Sequence, residues 1–146
     1  MVEDNLEDAE FFQRALIASR IANPVRHVEN GLEAVAYLEG RGKYADRAEY
    51  PVPCVMFTDL KMPLMNGFEL LEWLKDKPEF SLMPVIVFTS FKGEEVQRVY
   101  ALKTDFFLAK TASLDDFIQS IRDASENWWW CERPTLQMKA RNPAVL

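Results

Sequence analysis

The 146-residue sequence predicts an α/β domain built on a parallel sheet, and three observations predict it. Stretches with helical apolar spacing alternate with short apolar runs along the chain. The runs Cys54-Val55-Met56-Phe57-Thr58 and Val85-Ile86-Val87-Phe88 are largely or wholly apolar, as strands covered on both faces require. Polar residues able to do chemistry follow these runs directly, where a parallel sheet gathers its strand ends along one edge.

The elements follow in order. The opening Met1-Val2 is apolar and leads at once into Glu3-Asp4. Two residues cannot span a sheet, so either the first strand is a stub or the natural protein starts further upstream. Leu6, Ala9, Phe12 and Leu16 recur at helical spacing and predict a helix from Leu6 to Ser19. Asn23 and Pro24 punctuate the chain before a short strand, Val25 to Val28. Gly31 opens a helix carrying Leu32, Val35, Ala36 and Leu38, and Gly40 to Pro53 reads as an unusually long loop. A buried strand then runs from Cys54 to Thr58 and ends at Asp59, followed by a helix marked by Phe68, Leu71 and Leu74. Pro84 introduces the strand that ends at Thr89, a helix spans Glu94 to Leu102, and the strand Phe106 to Ala109 ends at Lys110. Ser113 caps the last helix, with Asp115 and Asp116 complementing its dipole and Leu114, Phe117, Ile118 and Ile121 on its core face. Residues 1–130 read as one domain and 131–146 as an irregular C-terminal tail containing Pro134 and Pro143.

Composition narrows the function. With 49% hydrophobic and 27% charged residues the chain is globular, and no apolar run approaches a membrane span. The acidic start has none of the features of a signal peptide. Cys54 and Cys131 make neither a disulfide framework nor a metal spacing, which fits a reducing cytoplasm. A net charge of −6 with scattered Lys and Arg argues against nucleic-acid binding.

The chemistry lies in four strand-end features: Glu3-Asp4, Asp59, Thr89 and Lys110. Each alone has an ordinary explanation, since acidic residues start helices and a lone Lys is usually a solvated charge. Asp59 is harder to dismiss, because a carboxylate ending a buried strand needs a partner. Brought to one edge, the set forms a site of three carboxylates, a hydroxyl and an ammonium. Clustered carboxylates repel unless a cation neutralises them, and an oxygen-rich site receiving a phosphoryl group suits Mg2+. Asp59 is then the natural nucleophile, forming an acyl phosphate. Lys110 stabilises the developing charge, and Thr89 donates its hydroxyl to a phosphoryl oxygen.

The sequence resembles the CheY-like receiver domains of bacterial response regulators. The likeness begins at Val2-Glu3-Asp4-Asn5 and is densest at Thr58-Asp59-Leu60-Lys61-Met62-Pro63-Leu64-Met65-Asn66-Gly67. It continues through Pro84-Val85-Ile86-Val87-Phe88-Thr89-Ser90 and Phe107-Leu108-Ala109-Lys110. It implies a doubly wound five-stranded parallel sheet in the order 2-1-3-4-5, with a sensor histidine kinase as the phosphoryl donor. It also implies Asp59 as phosphoacceptor, and Mg2+ held by Asp4, Asp59, the Lys61 backbone carbonyl and, through water, Glu3. Thr89 and Phe107 become the switch pair, Lys110 the phosphate-contacting lysine, and Pro63 and Gly67 the shapers of the turn. Thr111, where many receivers have Pro, and Lys103, where Gly is common, depart from the pattern.

The loop Gly40-Arg41-Gly42-Lys43-Tyr44-Ala45, the run Lys110-Thr111-Ala112-Ser113-Leu114 and the Trp-containing end of the last helix are similar to small stand-alone regulators paired with phytochrome-type kinases. Output is therefore expected through protein contacts, or through removal of phosphate from a relay, with a homodimer through the fourth helix, fifth strand, fifth helix and tail as one form of contact. Three consecutive tryptophans, Trp128 to Trp130, cannot all face one side of a helix, which suits such a contact or a tail packed on its own domain. Lys61 and Phe91 stand two residues after Asp59 and Thr89, and neither can orient a water, so a slowly hydrolysing acyl phosphate is expected. Two rivals are weighed. A Mg-dependent phosphatase of the haloacid-dehalogenase type needs a second Asp where Lys61 stands, so the chain is not expected to be an enzyme. A phosphorylation-independent binding module would have no use for Asp59, Thr89 and Lys110 together.

Overall fold

Alternation of side chains along the strands sorts the core onto two sides of one sheet. A computed structural model describes residues 1–21, 23–90, 99, 101–102, 104–110 and 113–125. Three parallel strands form its regular ladder: β1 (Met56–Thr58), β2 (Val85–Thr89) and β3 (Phe106–Ala109). Thr58 pairs with Val87, and Thr89 with Ala109. Met56, Val85 and Val87 project into one apolar cluster, while Val55, Phe57, Ile86 and Phe88 project into the other. Burial on both faces is what makes these runs continuously apolar.

The opening residues complete the sheet. Val2 bridges Val28 on one side and Thr58 on the other, both in parallel. Its N–H donates to the Phe57 carbonyl at 2.8 Å, and its carbonyl accepts from Asp59 N–H at 3.0 Å. Glu3 N–H donates to Val28 O at 2.9 Å. The lateral order is thus residues 25–28, residues 1–3, β1, β2, β3, the predicted order 2-1-3-4-5. The first two members are reduced to single bridges. The stub is short along its axis, yet it is central and fully hydrogen bonded.

Helices cover both faces. Asn5 caps α1 (Leu6–Ala18) by accepting from the N–H groups of Glu7 and Asp8 at 2.9 and 3.2 Å. Ala9, Phe12, Ala15 and Leu16 pack with Phe117 and Ile121 of the last described helix, Leu114–Ser125. Leu6 is not part of that stripe: at 63% exposure it faces solvent, because the buried line runs through positions 9, 12, 15 and 16 and leaves Leu6 at its edge. Leu32 is likewise exposed at the start of α2 (Gly31–Glu39), whose buried side carries Ala34, Val35, Tyr37 and Leu38. With α3 (Gly67–Lys75) it covers the opposite face.

The long 40–53 connection is ordered by its own contacts. Gly40, at φ 66°, ends α2 in the left-handed conformation that glycine tolerates best. A 3-10 turn, Gly42–Tyr44, follows. The rings of Tyr37, Tyr44 and Tyr50 lie 5.0–6.0 Å apart, and Arg47 donates to the carbonyls of Tyr37 and Leu38 in the last turn of α2. The predicted helix from Glu94 to Leu102 lies largely outside the described residues, although Val99 is buried in the core. Phe91, Lys103, Thr111, Trp128 to Trp130 and the 131–146 tail also lie outside them.

Candidate functional site

Because β1, β2 and β3 run parallel in this register, Asp59, Thr89 and Lys110 leave the same edge of adjacent strands. The stub places Glu3 and Asp4 at that edge, next to β1. Carboxylate oxygens of Glu3, Asp4 and Asp59 all lie within 4.8 Å of one another. The gathering predicted from sequence is therefore present.

Asp59 is nearly buried, and both its oxygens are engaged. Oδ1 accepts from Leu60 N–H at 2.6 Å, and Oδ2 accepts from Lys110 Nζ at 2.8 Å. The Lys110 ammonium also donates to Asp8 Oδ2 at 2.8 Å and lies 2.7 Å from Glu3 Oε2. The Phe88 ring lies beneath it, with its centroid 5.2 Å from Nζ. Burial works against this ammonium, but the carboxylates of Asp59, Asp8 and Glu3 outweigh it and hold Lys110 charged well above the usual lysine range.

Glu3 is the strained member electrostatically. Burial pushes its carboxyl up to about 7 against the opposing pull of Lys110, and the Asp59 charge adds to the rise. Its Oε2 is buried without a hydrogen-bond partner, the nearby ammonium notwithstanding. A buried carboxylate oxygen lacking a donor, with two further carboxylates beside it, fits a divalent cation by charge, oxygen chemistry and spacing.

The rise of Glu3 from 4.5 to about 7 fixes a sign for stability in cation-free buffer. The folded state takes up this proton more readily than the unfolded chain, so the gain is fully present below 4.5 and lost as pH rises through 7. Denaturant melts in EDTA are expected to show higher stability at pH 5.5 than at pH 7.5, with the slope abolished by Glu3→Gln. An equal slope in the Gln variant would assign it to other groups.

The remaining predicted residues are placed as follows. Thr89 is buried at the end of β2, and its carbonyl accepts from Lys110 N–H at 2.9 Å. Lys61 is exposed on the turn that follows Asp59. Phe107 is half-buried against the face carrying α2 and α3. The turn closes where Gly67 N–H donates to Leu60 O at 3.0 Å, and Asn66 and Glu69 form a reciprocal cap on α3. Its positive φ of 66° falls on Leu64, directly after Pro63. Sequence reasoning missed Asp8 and Phe88. Asp8 had a readable signal: with Phe12 and Ala15 it falls at positions i, i+4 and i+7, a carboxylate on an otherwise apolar stripe.

Comparison with known proteins agrees with this geometry. The response regulator receiver domain family matches residues 1–122. The response regulator Rcp1 of Synechocystis sp. is 30% identical over 137 residues, covering 93% of this chain and 90% of that protein. The crystal structure of the phosphorylated cyanobacterial phytochrome response regulator RcpA superposes with a TM-score of 0.77 at 32% identity, over 88% of this chain and 90% of that one. The Mn(2+)-bound form of Rcp1 gives a TM-score of 0.70 at 28% identity, over 95% and 96% of the two chains.

Proposed function

The chain belongs to the response regulator receiver domain family, and from that premise we propose that Asp59 is its phosphoacceptor, supplied by a sensor histidine kinase. Taking a phosphoryl group on an aspartate is the standard task of this family in two-component signalling. The observation that supports Asp59 is its double anchoring, by Leu60 N–H and Lys110 Nζ, beside two further carboxylates. A carboxylate oxygen held in this way attacks phosphorus, the P–N bond to the donor histidine breaks, and the imidazole leaves. Lys110 already touches the attacking carboxylate and is within reach of the oxygens of the incoming group. Thr89, one strand over, donates its hydroxyl to the phosphoryl group, and Phe107 follows that movement as the second half of the switch.

Glu3, Asp4, Asp59 and the Lys61 carbonyl would hold Mg2+, which when bound supplies positive charge to the phosphoryl oxygens. The Mn(2+)-bound form of a relative supports a divalent ion here. With Lys61 where an acid/base carboxylate would be needed, the domain signals rather than turns over substrate. Likeness to a phytochrome response regulator favours a phytochrome-type kinase as the donor, and we take the setting to be cytoplasmic. Residues 1–130 act as the receiver and 131–146 as a tail. A homodimer through the fourth helix, fifth strand, fifth helix and tail is the form of output we favour.

Incubation with acetyl phosphate and Mg2+ is expected to add one phosphoryl group per chain by intact mass spectrometry, and EDTA to reduce uptake to background. Uptake that ignores EDTA would refute the cation's role.

A further inference from the structure

Lys110 holds one carboxylate more than phosphoryl transfer asks of it. Its three contacts are nearly equal in length: 2.7 Å to Glu3, 2.8 Å to Asp8 and 2.8 Å to Asp59. The ammonium donates hydrogen bonds to Asp8 and Asp59, and Glu3 Oε2 lies in ion-pair contact with it. Two of the three carboxylates belong to the cation cluster, and Asp8 does not. A cation seated on Glu3, Asp4 and Asp59 therefore competes with Lys110 for Glu3 and Asp59 and leaves it Asp8 alone.

We propose that Asp8 is a positioning residue, which draws the Lys110 ammonium off the cation cluster and keeps it at the edge where the phosphoryl group arrives. The inference rests on the cation-dependent phosphoacceptor reading above. Lysine is a point charge on a flexible four-carbon stem, so its place is set by whichever anions hold it. Asp8 can do this because α1 fixes its backbone: Asn5 caps the helix, and Phe12 locks it to the core four residues on. Asp8 is 39% exposed at its side chain against 14% for Lys110, so it stays hydrated while reaching inward. Without Asp8, the ammonium has only Glu3 and Asp59 left among these partners and settles on the oxygens that the cation needs.

The test is a double-mutant cycle read by Mg2+ affinity, using calorimetric titration of the full chain without a phosphoryl donor. Asp8→Ala suits it, because alanine is a good helix former at a partly exposed site. In the wild-type background Asp8→Ala is expected to weaken Mg2+ binding about fivefold, the size of a coupling between contacting charges. In a Lys110→Ala background it is expected to weaken binding less than about twofold, since a hydrated charge outside the cluster acts only through screened attraction. Equal losses in both backgrounds, or no loss in either, would overturn the proposal. Absence of Mg2+ binding by the wild-type chain would instead remove the cation reading itself, and Asp8's role with it.

Discussion

Asp59→Asn is expected to abolish phosphoryl uptake from acetyl phosphate while leaving the fold intact. The amide has no anionic oxygen to attack phosphorus, so the acyl phosphate cannot form at this position. No neighbour substitutes for it. Glu3 is buried against Lys110 and is assigned to holding the cation, so its oxygens are not free to attack. Asp4 is exposed and has no contact with Lys110 among the described ion pairs. The fold survives because the amide oxygen still accepts from Leu60 N–H, the bond that anchors the start of the turn. Far-ultraviolet circular dichroism should match wild type, and intact mass should show no added phosphoryl group. The same experiment separates two rival activities. Continuous phosphate release by the wild-type chain would mean turnover, and an unlabelled wild-type chain would mean a binding module. Undiminished labelling of the Asn variant would move the acceptor elsewhere.

How far the sequence announced this site depends on which physical signal each residue left. Strands buried on both faces need unbroken apolar runs, so β1 and β2 and the acidic residue at the end of β1 were readable directly. Parallel topology then brings Asp59, Thr89 and Lys110 to one edge, because every such strand points the same way. The opening strand resisted reading because length is the usual evidence for a strand, and here two bridges from Val2 hold the place of a ladder. Centrality, not length, fixes Glu3 and Asp4. The 40–53 segment carried loop composition and is nonetheless ordered, since three tyrosine rings pack together while Arg47 and the Tyr37 hydroxyl donate to its Tyr50 and Pro51 carbonyls. That order depends on pairs between α2 and the loop, which periodicity within one element does not report. Leu6 was misread for a related reason. A helical repeat marks a stripe, but only the partner decides which edge residue of the stripe is covered. Asp8 is the converse, a polar residue on the stripe whose partner is 102 positions away.

Gly67→Ala is expected to destabilise the domain by about 3 kcal/mol or more, near the upper end for overpacking, and to suppress phosphorylation with it. On helix propensity alone the change should help by about 1 kcal/mol, since Gly67 is in the first turn of α3. Sterics decide otherwise. A Cβ on Gly67 would be 2.2 Å from the Asp59 carbonyl oxygen and 2.6 Å from Leu60 Cα. Both are backbone atoms of the turn that carries the acceptor, so no rotamer change relieves the clash. Relief requires that α3 retreat or that residues 59–60 move, and the second route breaks the Gly67 N–H to Leu60 O bond. It also displaces the Asp59 carboxylate from Lys110. Gly42→Ala is the matched control: its φ of 59° is left-handed, but nothing lies within 4 Å of the added carbon. Only backbone strain then opposes it, about 1 kcal/mol. Urea melts of the two variants should therefore separate clearly, with Gly67→Ala far the weaker. A Gly67→Ala protein as stable as Gly42→Ala would mean that the turn is held open by something other than this contact.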